Sequence, residues 1–174
     1  GRPANNVLLT GARGTGKSSL VKAALNEFAK KGLRLIEVDK SDAALRLLDA
    51  SGKAYAQFPI TSGTAKFPLP IGDWTIESIT ADPWYNYDPA LIVTARKGDR
   101  KAKLPPGPNG PVGTMWMALS KPHYGIHGTP EPGLIGRTQS SGCVRLTNWS
   151  ARAVAGAVHA PRRRAHHEVV QLFA

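Results

Sequence analysis

The sequence predicts a mostly β domain, a sandwich or barrel with one or two helices, preceded by a short βαβ-like phosphate-loop segment. Three observations lead there. From about residue 35 onward, short apolar and β-branched runs alternate with Gly/Pro punctuation. Within that stretch one segment, "NWSARAVAGAVH" (148–159), has the composition of a helix. Residues 1–34 have a different texture, with a strand and a helix flanking a Gly-rich turn.

Taken in order, "NVLLT" (6–10) reads as a strand and "KSSLVKAALNEFAKKG" (17–32) as a helix. Leu20, Val21, Ala24, Leu25 and Phe28 recur at helical spacing, and Gly32 is a fitting stop. "LRLIEV" (33–38) is the next strand, and "AALRLLDASGKAYAQFPITSG" reads as a hairpin turning at "DASGK". "GDWTIESIT" (72–80), "ALIVTAR" (90–96) and "TMWMALS" (114–120) are further strands, spaced by "FPLPIGD" and "LPPGPNGPVG". Asn148 is the expected N-cap of the 148–159 helix. "EVVQLF" (168–173) is the closing strand, and no internal repeat is visible.

Composition narrows the function classes. The chain has 174 residues, enough for one domain or one domain and a fragment. No apolar run of about 18 residues is present, so no membrane span is expected. A single cysteine excludes an internal disulfide and a cysteine zinc cage. With 23 basic and 12 acidic residues the net charge is +11, which favours an anionic partner. The basic residues are scattered or terminal, as in "PRRRAHH" (161–167), without interleaved aromatics. An anionic polymer such as cell wall is therefore preferred over nucleic acid, and a monomer is expected. No signal peptide is visible, but the chain opens on Gly1 and reads as a trimmed or partial form, so this leaves the compartment open.

Two motifs carry chemistry. "GARGTGKS" (11–18) fits the phosphate-loop pattern G-x-x-x-x-G-K-[ST] between a strand and a helix. Gly16 and its neighbours would turn N–H groups toward phosphate, Lys17 would add charge, and Ser18 would reach a magnesium ion. A working NTPase also needs a later carboxylate at a strand end. Neither "RLLD" (46–49) nor "LIVTARKGD" (91–99) places one well, and a single βαβ unit cannot cover both faces of a parallel sheet. "GARGTGKSSLVKAALNEFAKKGLRLIEVDK" resembles the start of an uncharacterised bacterial family of P-loop ATPases, and the likeness ends near Lys40. Residues 1–34 are thus read as a partial phosphate-loop module, and residues 35–174 as a separate catalytic domain. A nucleotide-binding protein with a passive wall-binding β module is the alternative.

The second motif surrounds the lone thiol. Cys143 lies 16 residues after His127, across "GTPEPGLIGRTQSSG". A thiol attacks carbonyls as thiolate and needs a base, for which imidazole is suited near neutral pH. Gly142 permits an unusual backbone in "SSGC", where successive N–H groups can face one developing oxyanion. The competing reading makes Cys143 a small core hydrophobe and His127 a structural histidine. His123 and His127 stand four apart, but Pro122, Gly125 and Gly128 oppose a helix there, and no third ligand is evident. No metal and no cofactor are expected. Trp74, Trp84, Trp116 and Trp149 are assigned to core or groove packing.

"IHGTPEPGLIGRTQSSGCVRLTN" resembles the active-site motif of the L,D-transpeptidases, the YkuD-type catalytic domain that remodels bacterial peptidoglycan. "ITSGTAKFPLPIGDWTI" and "LPPGPNGPVGTMWMAL" resemble the same family, so the likeness covers about residues 35–160. The resemblance implies that Cys143 is the nucleophile and His127 its base, with the other imidazole nitrogen held by a backbone carbonyl. It implies an oxyanion pocket of Ser141, Gly142 and Cys143 N–H groups, and substrate-binding roles at Ser140 and Arg145, the latter orienting either the loop or a substrate carboxylate. It further implies stem peptides of peptidoglycan as substrate and a periplasmic or wall location, where a phosphate loop would lack ATP. Three features depart from the family pattern: Ser141 stands where many relatives carry His, Ser150 where many carry Asp, and "HAPRRRAHHEVVQLFA" differs from the usual ending.

Overall fold

The computed structural model describes residues 35–49, 51–92, 95–137, 140–159 and 169–173. The strand and helix expected within residues 1–34, and with them Gly16, Lys17 and Ser18, lie outside the described residues. Strands β1 (Leu35–Asp39), β2 (Ala44–Leu48) and β3 (Ala54–Pro59) form a meander. The hairpin between β2 and β3 turns where "DASGK" places it, and Asp49 accepts hydrogen bonds from the backbone of Ser51 and Lys53. These bonds fix the turn because the carboxylate satisfies amides that have no strand partner there.

β4 (Gly72–Ala81), β7 (Met115–Leu119), β8 (Gly125–His127), β9 (Val144–Arg145) and β10 (Val169–Phe173) complete an eight-stranded sheet, ordered β3-β2-β1-β10-β4-β7-β8-β9. β5 (Tyr85–Tyr87) and β6 (Ala102–Leu104) pair separately as a small ribbon. β10 inserts between β1 and β4, parallel to the first and antiparallel to the second. Val169–Phe173, the described part of the unusual C-terminal segment, is therefore a central strand. Just beyond β3, Thr61 and Arg145 exchange backbone hydrogen bonds of 3.0 and 2.8 Å, which brings the two outer strands together and closes the sheet into a barrel-like form.

Helix α1 (Asn148–His159) packs on β7 and β8. Ala151, Val154, Ala155 and Val158, at one-turn spacing, are its buried face. β7 alternates in the same economical way: Met115, Met117 and Leu119 enter the core, while Trp116 faces the opposite side.

Two expectations need correction. None of the described residues of "ALIVTAR" (90–92 and 95–96) is in a strand: Pro89–Leu91 is a 3-10 turn, capped by Asp88, whose carboxylate accepts from the Ala90 N–H. Pro89 pre-sets the backbone for that turn and removes a ladder donor, which outweighs the apolar run behind it. Nor is Asn148 the cap of α1. Thr147 accepts from the Ser150 N–H, and its hydroxyl donates to Ser150 Oγ at 2.8 Å. Asn148 instead links loops, accepting from the Thr114 N–H and donating to the Pro108 carbonyl. Ser150 is thereby bonded within the cap.

Candidate active site

The short parallel pair β8/β9 organises the site. Its register sets Ile126 beside Val144 and His127 beside Arg145. Because successive strand residues face opposite sides, Ile126 and Val144 enter the core together. His127, Arg145 and Cys143 then share the other side. All three line one groove of about 750 Å³, together with Trp84 and with Tyr85, Tyr87 and Leu104 of the β5–β6 ribbon.

His127 is firmly placed. It is 4% exposed, its ring stacks on Trp116 at 5.4 Å between centroids, and Trp116 is its cross-strand partner. Nδ1 donates to the Gly128 carbonyl at 2.6 Å, so Nε2 is the atom left to accept a proton. Burial pulls the imidazole pKa down to about 3; the Arg145 charge acts in the same direction and the Gly128 carbonyl opposes both. The Cys143 thiol moves the other way, up to about 11, chiefly through burial, with the Gly125 N–H and the Arg145 charge holding it lower than burial alone would. At neutral pH the resting pair is therefore thiol and neutral imidazole.

Cys143 lines the groove with its S–H directed to the His123 carbonyl, 3.7 Å away. Tyr85, which lines the same groove, is close enough for the Cys143 charge to raise its pKa together with burial, the larger cause. Tyr85 was not singled out from sequence, since a three-residue strand "YNY" gives no period that would place it.

Ser140, expected at the substrate surface, and Gly142, expected as an oxyanion donor, bond to each other within the loop. Ser140 is fully buried; its hydroxyl donates to the Cys143 carbonyl at 2.7 Å and accepts from the Gly142 N–H at 3.2 Å. It fastens the loop that bears Cys143 and is not among the residues lining the groove. For the same reason the Gly142 N–H points into the loop, so the expected oxyanion donors narrow to the backbone of Ser141, which lines the groove, and Cys143. His123 precedes β8 in a turn, which rules out the helical His123/His127 pair; no group of three or more His, Cys, Asp or Glu fit to hold a metal occurs among the described residues. Of the four tryptophans, Trp84 and Trp116 line the groove and Trp74 packs on the core. Trp149 does neither, being 67% exposed at the start of α1.

The model of the L,D-transpeptidase catalytic domain (YkuD) matches residues 33–163. The chain belongs to the L,D-transpeptidase family. A second model, Protein of unknown function (DUF815), matches residues 1–51. Among curated relatives, a protein of Fuscovulum blasticum, named as an L,D-transpeptidase in the ATP synthase subunits region, is 34% identical over 71% of this chain and 64% of its own length. The L,D-transpeptidase YkuD of Bacillus licheniformis is 49% identical over 30% of this chain and 32% of its own length. The chain thus spans less than two thirds of these relatives. Among solved structures, L,D-transpeptidase 3 from Mycobacterium tuberculosis in complex with a faropenem-derived adduct aligns with a TM-score of 0.61 and 13% identity, over 81% of this chain and 60% of that one. That likeness is one of fold. No helix among the described residues is long and apolar enough to cross a membrane.

Proposed function

We propose that this chain is a cysteine-dependent L,D-transpeptidase that forms peptidoglycan cross-links through a Cys143 thioester. The observation that carries the reading is the common facing of Cys143 and His127 on the β8/β9 pair, with Nδ1 bound to Gly128 and Nε2 left as base. The groove beside them supports a peptide substrate, and Arg145 supports an anionic group near the scissile bond.

The reaction follows from these atoms. The Cys143 sulfur attacks the carbonyl at the L-centre of diaminopimelate in a tetrapeptide stem, while His127 Nε2 takes the thiol proton. A carbon–sulfur bond forms, and the oxyanion is met by the backbone N–H groups of Ser141 and Cys143. The carbon–nitrogen bond then breaks, His127 returns its proton to the leaving amine, and D-alanine departs. An amine of a second stem attacks the thioester, His127 accepts its proton, and the thiol is regenerated as the cross-link forms. Attack by water in this second step would make the enzyme an L,D-carboxypeptidase. Such a substrate places the catalytic domain outside the cytoplasmic membrane. Residues 1–34 we propose to be a separate phosphate-loop segment that takes no part in this chemistry.

The test is release of D-alanine from a tetrapeptide stem, with mass spectrometry for the cross-linked dimer. Cys143→Ala should abolish both and Lys17→Ala should leave both intact. Retained turnover in Cys143→Ala, or its loss in Lys17→Ala, would overturn the reading in favour of a nucleotide-dependent protein.

A further inference from the structure

Three consecutive residues of the turn that leads into β8 converge on the nucleophile loop. The His123 carbonyl accepts the Cys143 S–H, and the Gly125 N–H donates to the same sulfur. Between them, the Tyr124 ring edge lies against Gly142: a Cβ built there would stand 2.5 Å from Tyr124 Cε1 and 3.2 Å from the Pro68 carbonyl oxygen. Gly142, at φ +99°, is therefore slotted between an aromatic edge and a backbone carbonyl. The ring has its own support. Lys121 Nζ sits 5.4 Å from the Tyr124 centroid and 5.1 Å from that of Trp74, whose indole N–H donates to the Pro70 carbonyl at 2.9 Å.

The turn itself is held in a tense form. Tyr124 N–H donates to the Lys121 carbonyl, Pro122 occupies the second position, and His123 takes φ +69° at the third. These are the features of a type II turn, whose third position ordinarily calls for glycine. A side-chain-bearing residue held there is strained, and such strain persists where the surroundings over-determine it. Here the consequence is a carbonyl aimed at the sulfur.

We propose that the 121–125 turn is a positioning device for the nucleophile, in which the Tyr124 ring, backed by Lys121 and Trp74, sets where Gly142 and Cys143 lie relative to His127. Tyr124 is a positioning residue: it acts through Gly142 on the sulfur. The inference rests on the reading of Cys143 as nucleophile.

The experiment compares Tyr124→Ala and Tyr124→Phe with Leu45→Ala, which opens a cavity in β2. Each is scored for thermal stability and for the rate constant and half-saturation concentration of acylation by a carbapenem. Misplacing a reacting atom by about 1 Å costs about 100-fold. Tyr124→Ala should therefore lose about 100-fold in the acylation rate constant with half-saturation within about threefold, while Tyr124→Phe and Leu45→Ala keep the rate. Should alanine unfold the chain, Tyr124→Leu, which retains bulk without a flat edge, gives the same comparison. The proposal is overturned if Tyr124→Ala keeps the rate, if Leu45→Ala loses it equally, or if Phe is as slow as Ala. Failure of the nucleophile reading looks different, because the unmutated chain is then not acylated. Alkylation of Cys143 by iodoacetamide still decides the matter in that case: slower in Tyr124→Ala supports the device, equal rates refute it.

Discussion

Gly142→Ala probes the loop that bears Cys143 most sharply. A methyl group there meets Tyr124 Cε1 at 2.5 Å and the Pro68 oxygen at 3.2 Å, so it cannot be relieved by moving one side chain alone. The ring must retreat by about 1 Å to reach ordinary carbon contact, against the Lys121–Trp74 stack behind it. The backbone adds a second cost, since φ +99° is a conformation that side-chain-bearing residues avoid. About 1–3 kcal/mol for that strain and about 1–3 kcal/mol for overpacking give a loss of about 2–6 kcal/mol. A domain stable by about 5–15 kcal/mol would remain folded but weakened. Urea unfolding should show the midpoint falling with an unchanged slope. Gly156→Ala is the matched control: it lies on the exposed face of α1 with nothing within 4 Å, and should gain about 0.5–1 kcal/mol. A Gly142→Ala protein within about 0.5 kcal/mol of the parent, with undiminished acylation, would refute the packing described for this loop.

Three further outcomes follow from the site. His127 is neutral in the fold, with its pKa lowered to about 3 from the 6.5 of an unperturbed imidazole, so the folded state binds fewer protons than the unfolded one. Stability should then be complete above pH 6.5 and decline toward pH 3, by up to about 1.4 kcal/mol per pH unit; His127→Asn should flatten that slope in urea titrations at stepped pH. Ser140→Ala leaves the Cys143 carbonyl and Gly142 N–H without the hydroxyl that joins them, and should cost about 1–3 kcal/mol; the acylation rate constant should fall while KM for a stem peptide holds, and a KM effect alone would restore Ser140 to the substrate surface. Because burial raises the Cys143 thiol to about 11, iodoacetamide alkylation should accelerate steadily from pH 6 to 9; a plateau through neutrality would show a preformed thiolate–imidazolium pair instead.

The long elements of the fold were legible because their periods are long enough to read. β7 and α1 each run through a clear alternation or one-turn repeat, and the β2–β3 turn announces itself through Asp49 and Gly52. "ALIVTAR" misled because an apolar run was weighed without the Asp88-Pro89 pair that starts a tight turn in front of it. β5, β8 and β9 span two or three residues, too short for any periodic signal. The place of β10 between β1 and β4 depends on contacts more than 90 residues away, which no local pattern encodes. At the site, residue type and spacing marked Cys143 and His127 as a candidate pair but left core packing open, and only the family resemblance gave them roles; the structure brings both to one groove. The role of Ser140 was not legible, because a hydroxyl beside a catalytic turn looks the same in sequence whether it faces a substrate or its own backbone. Tyr124 was equally hidden: its partner Gly142 is 18 positions away, and the cation between its ring and Trp74 is visible only in three dimensions.

The central claim is that the Cys143 sulfur carries the acyl group, and a trapped intermediate tests it most directly. The unmutated chain is mixed with a tetrapeptide stem in the absence of an acceptor, quenched in acid, and its intact mass and proteolytic fragments are recorded. The account predicts a mass increase equal to the stem minus D-alanine, located on the peptide bearing Cys143 and released by hydroxylamine. Turnover of the stem with no adduct on Cys143, or the same adduct on Cys143→Ala, would contradict it.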